Sequence, residues 1–278
     1  MNTAEFSGWI FLSSVLAGLL GSLTGLGGGV VIVPALTLLF HVDIHYAIGA
    51  SLVSVIATSS GAAAAYVREG YSNIRIGMFL EIATTLGAVV GAYLTTKVST
   101  HAIGLIFGMV LLYSAYASSR KKHGQTGIMR RNELADRLRL RGSFPGKQGN
   151  EEYVAQRVPA GFGLMFSAGT LSGLLGIGSG AVKVLAMDQA MGLPFKVSTT
   201  TSNFMIGVTA AASAGIYLSR GYISPGLAMP VMLGVLGGSL TGSKLLAHSN
   251  VKTLRLVFAL VIVALGIEMI VNSVTGRL

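Results

Sequence analysis

The feature that most constrains this chain is a glycine-rich interruption of a hydrophobic stretch that occurs twice. Residues 17–33, AGLLGSLTGLGGGVVIV, align without a gap with residues 168–184, AGTLSGLLGIGSGAVKV, at an offset of 151 residues (168 − 17). The register persists downstream, where Tyr66 aligns with Tyr217. The chain is therefore predicted to consist of two homologous halves. Interrupted helices at corresponding positions of two membrane halves indicate a binding site, because the broken ends expose backbone groups that must face a ligand or a cavity.

Composition places the chain in a lipid bilayer. Hydrophobic residues make up 52% of it and charged residues 11%, with a mean hydropathy of +0.69, which is too apolar for a soluble domain of this size. We expect an all-α polytopic membrane protein with four hydrophobic segments in each half. The eight segments are residues 6–40, 47–67, 76–96, 102–118, 158–187, 197–218, 224–246 and 254–271. The first and fifth hold the glycines and exceed the roughly 20 residues that one crossing needs, which predicts glycine-broken helices.

A polar stretch separates the two halves. We assign residues 1–118 to the first transmembrane repeat, 119–157 to a linker and 158–278 to the second repeat. Ten of the twenty Lys and Arg residues lie in the linker, an excess typical of a cytoplasmic loop rather than of a nucleic-acid-binding surface. The glycines of this stretch predict flexibility, with a short amphipathic helix over residues 132–141.

The basic residues also bear on how the halves are oriented. If each broken segment dips in and returns, the halves are inverted and fifteen Lys and Arg lie in the cytoplasm against three outside, leaving out Lys183 and Lys196. If each broken segment crosses once, the halves are parallel and the count is fourteen to four. The first 67 residues contain no Lys or Arg, which fits an external N-terminus, so we favour inverted repeats.

Glycines within the interruptions are denser than helix packing requires. Residues 25–29, GLGGG, and 176–180, GIGSG, favour a local break in the helix. The helix that restarts after each break directs free N–H groups and its positive dipole end into the protein, where an anion can bind. The residues expected to contact substrate here are Gly27, Gly28, Gly29, Gly178, Ser179 and Gly180. Four further glycines are spaced four apart within two helices, which is typical of close helix packing: Gly87, Gly91, Gly238 and Gly242.

Lys183 is a cation three residues after Gly180, among apolar neighbours. A cation at mid-membrane depth costs roughly 2.5–3.5 kcal/mol even on a lenient scale, so it should face an interior cavity and have a partner. Its repeat equivalent is Ile32, which makes the site asymmetric. We expect Lys183 to pair with an anionic substrate. The alternatives are a structural pair with Asp188 and a lysine that lies nearer the surface.

Polar side chains on the next helix can complete the site. Residues 198–203 are six consecutive polar residues, and Ser51 is the repeat equivalent of Ser202. We expect Ser51, Thr200, Ser202 and Asn203 to donate hydrogen bonds to substrate oxygens. The alternative for any single Ser or Thr is a hydrogen bond to its own helix.

Two carboxylates lie in hydrophobic segments, Glu81 and Glu268. A carboxylate in such a position can carry a coupling proton, and Glu81 is the candidate; a place near the membrane interface is the alternative. Residues 41–45, HVDIH, hold two imidazoles and a carboxylate, but without a second cluster an ordinary solvated loop is favoured over a metal site. We expect no metal, no cofactor and no catalytic residue, so the chain is not predicted to be an enzyme.

At these residues the sequence resembles the sulfite exporter TauE/SafE family, also called the four-toluene-sulfonate uptake permease family. The resemblance spans nearly the whole chain and rests on GLGGG at 25–29 followed by VPAL at 33–36, GASL at 49–52, LEI at 80–82, and the second glycine motif leading to GLP at 192–194. The second motif departs from the family pattern: Ser179 replaces a glycine, Lys183 an apolar residue, and Leu185 the proline that matches Pro34.

The resemblance implies a prokaryotic inner-membrane transporter of small, often sulfur-containing anions such as sulfite, sulfonates or sulfoacetate. With the site residues, it predicts a secondary transporter that binds its anion near the midplane, between the two glycine loops. An anion channel that uses the same half-helix ends is the alternative. The expected partners are a small anionic substrate and membrane lipid, not nucleic acid, and a homo-oligomer is left open.

Overall fold

The computed structural model is mostly helical and describes residues 3–24, 28–68, 72–119, 133–146, 149–246 and 251–277. The first half contains α1 (Thr3–Thr24), α2 (Gly29–Pro34), a π-helical turn π1 (Ala35–Leu39), α3 (Ile44–Arg68), α4 (Ile74–Leu94) and α5 (Thr100–Ser119). Between the halves lie α6 (Glu133–Arg137), β1 (Arg141–Gly146) and β2 (Gly149–Val154). The second half contains α7 (Val158–Leu175), α8 (Gly180–Leu185), π2 (Ala186–Ala190), α9 (Phe195–Ser219), α10 (Pro225–Leu246) and α11 (Val251–Val274).

From α2 and α8 onward, the elements of the two halves begin 151 residues apart, as in the sequence alignment, whereas α1 and α7 begin 155 residues apart (158 − 3). Local chemistry explains several of these starts. Asp43 Oδ1 accepts a hydrogen bond of 2.9 Å from the backbone N–H of His45 at the start of α3, and Asn73 caps α4 by accepting one of 3.0 Å from the N–H of Ile76. Pro225 opens α10, where its missing N–H removes no helical hydrogen bond.

Each glycine-interrupted segment turns back on itself. The rings of Phe6, near the start of α1, and Phe40, just after π1, pack edge to face with centroids 5.9 Å apart. In the second half the N–H of Gln156, just before α7, donates a 2.8 Å hydrogen bond to the carbonyl oxygen of Met191, just after π2. The start and the end of each segment therefore lie side by side, with the interruption at the far tip of a helical hairpin.

Helices α3 and α9 occupy equivalent positions in the two halves and pack against each other in opposite directions. Gly49, near the start of α3, contacts the carbonyl oxygen of Tyr222, just beyond the end of α9. At the other end, the N–H of Asn73, which follows α3, donates a 3.1 Å hydrogen bond to Thr201 Oγ1 near the start of α9. The two equivalent helices are therefore antiparallel.

The first helix of each half packs along the third long helix of the other half, α1 on α10 and α7 on α4. Glycines line both contacts. A Cβ atom at Gly87 would overlap the carbonyl oxygen of Phe166, and one at Gly91 would overlap that of Thr170. Gly238 lies in the same way against the carbonyl oxygen of Val15. These three glycines have the packing role that their spacing predicts. The contacts of Gly242 are not among those that the structure describes.

The described part of the linker is folded, so the expectation of a flexible linker is wrong for residues 133–146 and 149–157. The predicted helix over 132–141 is limited to Glu133–Arg137, because the chain turns at Arg139, whose φ is +52°, and enters a strand. β1 and β2 pair as an antiparallel hairpin. Leu140 and Tyr153 are buried in a core shared with α4 and α7, and this apolar contact stabilises the folded linker despite its glycines.

The outward faces of the helices are apolar. Large side chains that are more than half exposed include Trp9, Leu16, Met78, Ile82, Leu86 and Leu240. Within the described residues, α4 and α7 are long and apolar enough to cross a membrane by length and composition, and shorter apolar stretches occur in α1, α2–π1, α3, α5, α10 and α11. Such a surface suits a lipid environment.

Adjacent glycines in α10 provide a test of the helix contact. An added Cβ at Gly238 would meet the backbone of Val15, whereas one at Gly237 would meet nothing within 4 Å. Overpacking costs about 1–3 kcal/mol, whereas replacing an unconstrained helical glycine by alanine gains up to about 1 kcal/mol. We therefore expect Gly238→Ala to lower the thermal unfolding midpoint of the detergent-solubilised protein, and Gly237→Ala to leave it unchanged or raise it. Equal midpoints would contradict the close α1–α10 contact.

Candidate functional site

The tips of the two helical hairpins meet where α3 crosses α9. Ser51, on α3, donates a 2.8 Å hydrogen bond to the carbonyl oxygen of Gly176 in the second tip. A Cβ at Gly29, in the first tip, would lie 2.7 Å from Ser51 Oγ and 3.1 Å from the same carbonyl oxygen. The Ser51 hydroxyl therefore lies between the two glycine motifs and ties the first half to the second.

The second tip has a strained, polar turn. Gly176 and Gly178 both have φ +68°, and Ser179 has φ +45°, a left-handed conformation that is uncommon for a residue with a side chain. Ser202, on α9, donates a 3.3 Å hydrogen bond to the carbonyl oxygen of Gly180. The Ser179 hydroxyl is buried and has no hydrogen-bond partner among the described residues. A buried unpaired hydroxyl costs free energy, so Ser179 is available to a ligand that reaches this turn.

Lys183 is fully buried one turn beyond this tip, with 0% of its surface exposed. Its Nζ donates a 2.6 Å hydrogen bond to Oγ1 of Thr209, on α9. The same Thr209 hydroxyl lies 2.6 Å from Oε1 of Glu81, on α4, to which it donates. Because a hydroxyl can accept from an ammonium group while donating to a carboxylate, Thr209 joins the two charges in one chain of hydrogen bonds. We call Lys183, Thr209 and Glu81 the charged triad.

The two oxygens of Glu81 have different surroundings. Oε1 accepts from Thr209 and, at 3.2 Å, from Thr85 on the same helix. Oε2 is buried without a hydrogen-bond partner among the described residues, although only 8% of the residue is exposed. The free-energy cost of removing two opposite charges from water is offset only when the charges interact closely. In the triad, Lys183 and Glu81 therefore stabilise each other through Thr209. The triad also leaves one carboxylate oxygen free to gain a proton or a donor.

The charged triad has an uncharged counterpart in the other half. At the offset of 151 residues, Lys183 corresponds to Ile32, Thr209 to Thr58 and Glu81 to Met232. Thr58 Oγ1 bonds only to carbonyl oxygens of its own helix in the described hydrogen bonds, at 3.0 and 3.2 Å. The two halves therefore place a threonine at equivalent points and surround it with charges on one side only.

The structure brings together part of the predicted set. Gly29 and Ser51 from the first half contact the carbonyl oxygen of Gly176, where the turn that contains Gly178, Ser179 and Gly180 begins. Ser202 bonds Gly180, and Lys183 lies one turn beyond it. Gly28 instead faces the side chain of Val235, and Gly27 lies outside the described residues.

Two of the predicted hydroxyl and amide donors are placed differently. The Thr200 hydroxyl donates back to its own helix, at 2.9 Å to the carbonyl oxygen of Lys196. Asn203 is half-buried, and the described hydrogen bonds include none from its side chain. Neither side chain is held at the hairpin tips in this arrangement, so a role for them requires a change of conformation.

Sequence reasoning missed Thr209. It lies seven residues (209 − 202), or about two turns, beyond Ser202, so both hydroxyls share one face of α9. This helical spacing is the sequence signal that would have placed Thr209 beside the predicted site. The link to Glu81 carried no local signal, because the two residues lie in different halves.

A separate cavity of about 480 Å³ lies at the end where the first hairpin begins and ends. Its lining includes His41, Asp43 and Glu268, together with Arg277. The ring of His45, in the same loop, bonds Asp43 at 3.0 Å and stacks on Tyr222. None of the charged triad lines this cavity. We place the candidate site at the hairpin tips because the unpaired Ser179 hydroxyl, the unpaired Oε2 of Glu81 and the buried charge of Lys183 lie there.

Comparison with known proteins identifies relatives along nearly the whole chain. A family model described as Sulfite exporter TauE/SafE matches residues 10–269. A probable membrane transporter protein of Bacillus subtilis, YunE, is 26% identical over 273 residues, covering 94% of this chain and 96% of the relative. A second from that organism, YdhB, is 27% identical over 84% of this chain and 88% of its own length. A probable membrane transporter protein of Xylella fastidiosa is 24% identical over 92% and 93%. No solved structure matches this chain.

Exchanging the charges for their uncharged counterparts tests the triad. Lys183→Ile or Glu81→Met alone leaves one buried charge without its partner, which costs about 3–5 kcal/mol. The double variant has Ile and Met, the residues found at the repeat-equivalent positions 32 and 232. It should therefore recover most of the lost free energy of unfolding. We expect the thermal unfolding midpoint in detergent to fall strongly in each single variant and to rise again in the double variant. Additive losses would show that Lys183 and Glu81 do not stabilise each other.

Proposed function

Because the chain belongs to the sulfite exporter TauE/SafE family of membrane transporters, we propose that it is a secondary transporter of small anions that carry a sulfur oxyanion group, such as sulfite, sulfonates or sulfoacetate. The observation that carries the proposal is the fully buried Lys183, one turn from a polar glycine turn. A buried cation requires an anionic partner, and here the resident partner, Glu81, is reached only through a hydroxyl. A substrate anion can therefore compete for Lys183.

The proposed site lies between the hairpin tips, near the midplane. Gly29 of the first tip and Gly178, Ser179 and Gly180 of the second tip are its proposed backbone contacts. Gly27 and Gly28 stay candidates from the sequence motif alone. The hydroxyls of Ser51 and Ser202 already bond glycine carbonyl oxygens of the second tip, so they can turn toward a substrate oxygen with little movement. Thr200 and Asn203 are candidate donors on the same helix, and Glu81 is the candidate for proton coupling.

We propose that the two halves are inverted repeats. Two observations support this: the equivalent helices α3 and α9 run antiparallel, and both ends of each interrupted segment lie together. Each half then crosses the membrane three times beyond its hairpin, an odd number. In inverted repeats, rocking of one bundle against the other exposes a central site to each side in turn.

We propose a prokaryotic inner membrane as the location of the protein, with residues 119–157 in the cytoplasm, because ten of the twenty Lys and Arg residues lie in that linker. Membrane lipid and the small anion are its proposed partners. An anion channel would use the same residues. Saturable uptake that is accelerated by substrate on the opposite side distinguishes a carrier from a channel, because only a carrier exchanges one bound ion for another.

The orientation can be tested with single cysteines, since the chain contains none of its own. Lys97, after α4, and Lys196, at the start of α9, are both exposed lysines. We expect Lys97→Cys to react with an impermeant maleimide from outside intact cells, and Lys196→Cys to react only after the membrane is opened. Glu152→Cys, in the linker, should behave as Lys196→Cys does. Labelling of the cysteines at 97 and 196 from the same side would contradict the inverted arrangement.

Substrate binding can be tested by thermal-shift measurements of the purified protein with sulfite, methanesulfonate, sulfoacetate, taurine and sulfate. We expect at least one sulfur oxyanion to raise the unfolding midpoint. Lys183→Met should then cost on the order of 2–5 kcal/mol of binding, because the anion would be desolvated without its partner.

Lys196→Met serves as the control, because it removes an exposed lysine of the same half. The double variant Lys183→Ile with Glu81→Met separates folding from binding, since it should be stable and yet fail to bind. Unchanged affinity in Lys183→Met would show that this lysine is structural.

A further inference from the structure

We propose that Lys183, Thr209 and Glu81 couple the anion to a proton, so that a monovalent anion occupies Lys183 only when Glu81 has gained a proton. This inference rests on the proposed function and specifies its coupling ion. It follows from the arrangement of the triad: the cation that would hold the anion is already bound, through one hydroxyl, to a carboxylate.

The charge balance of the buried site requires this order of events. With Lys183 charged and Glu81 ionised, the empty site has no net charge. A monovalent anion alone would give it one uncompensated negative charge in a region that excludes water, which is strongly unfavourable. One proton on Glu81 removes that charge, so the site loaded with one anion and one proton is neutral again. Empty and fully loaded sites can therefore both be occluded, whereas the half-loaded site is disfavoured.

The structure provides a place for the proton. Oε1 of Glu81 already accepts from Thr209 and Thr85, whereas Oε2 is buried and has no partner among the described residues. The proton binds Oε2, converting the carboxylate to a neutral carboxylic acid and creating one O–H donor. That donor can bond an oxygen of the incoming anion, so the proton both removes the competing charge and adds a contact to the substrate.

Thr209 has an alternative acceptor that allows the exchange. Its hydroxyl lies 2.9 Å from the carbonyl oxygen of Met205, on its own helix, as well as 2.6 Å from Glu81. When Glu81 becomes neutral, the Thr209 O–H can turn to Met205 and is never left unpaired. Thr209 is thus a positioning residue, which transmits the state of Glu81 to Lys183.

The neighbouring elements carry no competing charge at this depth in the described residues. α4 packs on α7 and α9, and α7 contains no titratable residue between Val158 and Leu175. Lys183 of α8 is the charged group that faces Glu81. The other titratable side chains of these elements lie at their ends or in the following turn: Arg75, Tyr93, Asp188, Lys196 and Tyr217.

The experiment uses the full chain in liposomes that contain a pH-sensitive dye, with potassium and valinomycin to clamp the membrane potential. The probe is [14C]methanesulfonate, whose sulfonate stays ionised between pH 5 and 8, so any proton that moves with it is carried by the protein. Radiolabel uptake reports transport, and dye fluorescence reports protons in the same vesicles. We expect inward methanesulfonate flux to acidify the lumen by about one proton per anion, and linkage requires the apparent Kd to rise up to about tenfold per pH unit once Glu81 is ionised.

Variants identify the group responsible. Glu81→Gln should bind methanesulfonate with an affinity that no longer depends on pH and should move no protons. Thr209→Val should weaken the pH dependence, and Thr209→Ser should restore it because the hydroxyl returns. The matched control is Thr58→Val, which changes the equivalent threonine of the other half, has no charged partners in the described hydrogen bonds, and should keep wild-type coupling.

The outcomes separate this inference from the proposed function. Methanesulfonate flux without acidification, or an unchanged pH dependence in Glu81→Gln, would overturn the coupling role and leave the transporter proposal intact. Absence of methanesulfonate flux from wild-type vesicles would overturn the sulfonate assignment and this inference with it. The coupling role would be established if wild-type flux is accompanied by proton uptake, if Glu81→Gln abolishes the proton uptake, and if Thr58→Val preserves it.

Discussion

The architecture depends on how closely helix backbones approach one another. In water, hydrophobic burial would bring such helices together, but lipid tails are as apolar as the side chains, so packing and backbone contact must supply the association. Gly87 and Gly91 on α4 lie against carbonyl oxygens of α7, and Gly238 on α10 lies against Val15 of α1. Each contact joins a helix of one half to a helix of the other. The halves are therefore interlocked, and neither hairpin would be held in place without the opposite half.

This interlocking determines where charge can be buried. The hairpin tips are supported on both sides by α3 and α9, so Gly29 and Gly176 are brought together around the Ser51 hydroxyl and the tip region excludes water. A lysine placed one turn beyond the tip cannot reach the surface and must find a partner inside. Thr209 on α9 and Glu81 on α4 supply it, and the glycine contacts hold α4 against α7. The same helix packing thus creates the low-dielectric site that holds the ion pair, and in our proposal one added proton changes the charge balance of that site.

Much of the fold could be predicted from the sequence, and less of the site. The duplicated glycine motif gave the equivalence of the halves, and start signals such as Asn73 and Pro225 mark helix ends because capping is local chemistry. The family resemblance is confirmed by a match over residues 10–269. Lys183 could be selected because a cation among apolar residues is conspicuous. Its partner could not, since the contact of α4 with α9 is set by tertiary packing, for which a single sequence holds no signal. The β-hairpin of the linker was missed for a related reason: its glycines were visible, whereas the core that buries Tyr153 exists only once α4 and α7 are in place.

The asymmetry of the triad has consequences for a transporter built from inverted repeats. In such a protein the two halves exchange conformations between the outward-facing and inward-facing states, so a perfectly symmetric sequence would give both states the same free energy and the same affinity. Ile32, Thr58 and Met232 make the first half apolar where the second half carries Lys183 and Glu81. If the halves are inverted repeats, as we propose, the ion pair experiences a different environment in each state, whereas its uncharged counterpart has no electrostatic energy to gain or lose. A site can bind substrate on one side of the membrane and release it on the other only if its affinity differs between the outward-facing and inward-facing states. In the proposed transporter, a lysine placed in only one of two equivalent positions would provide such a difference between the two states.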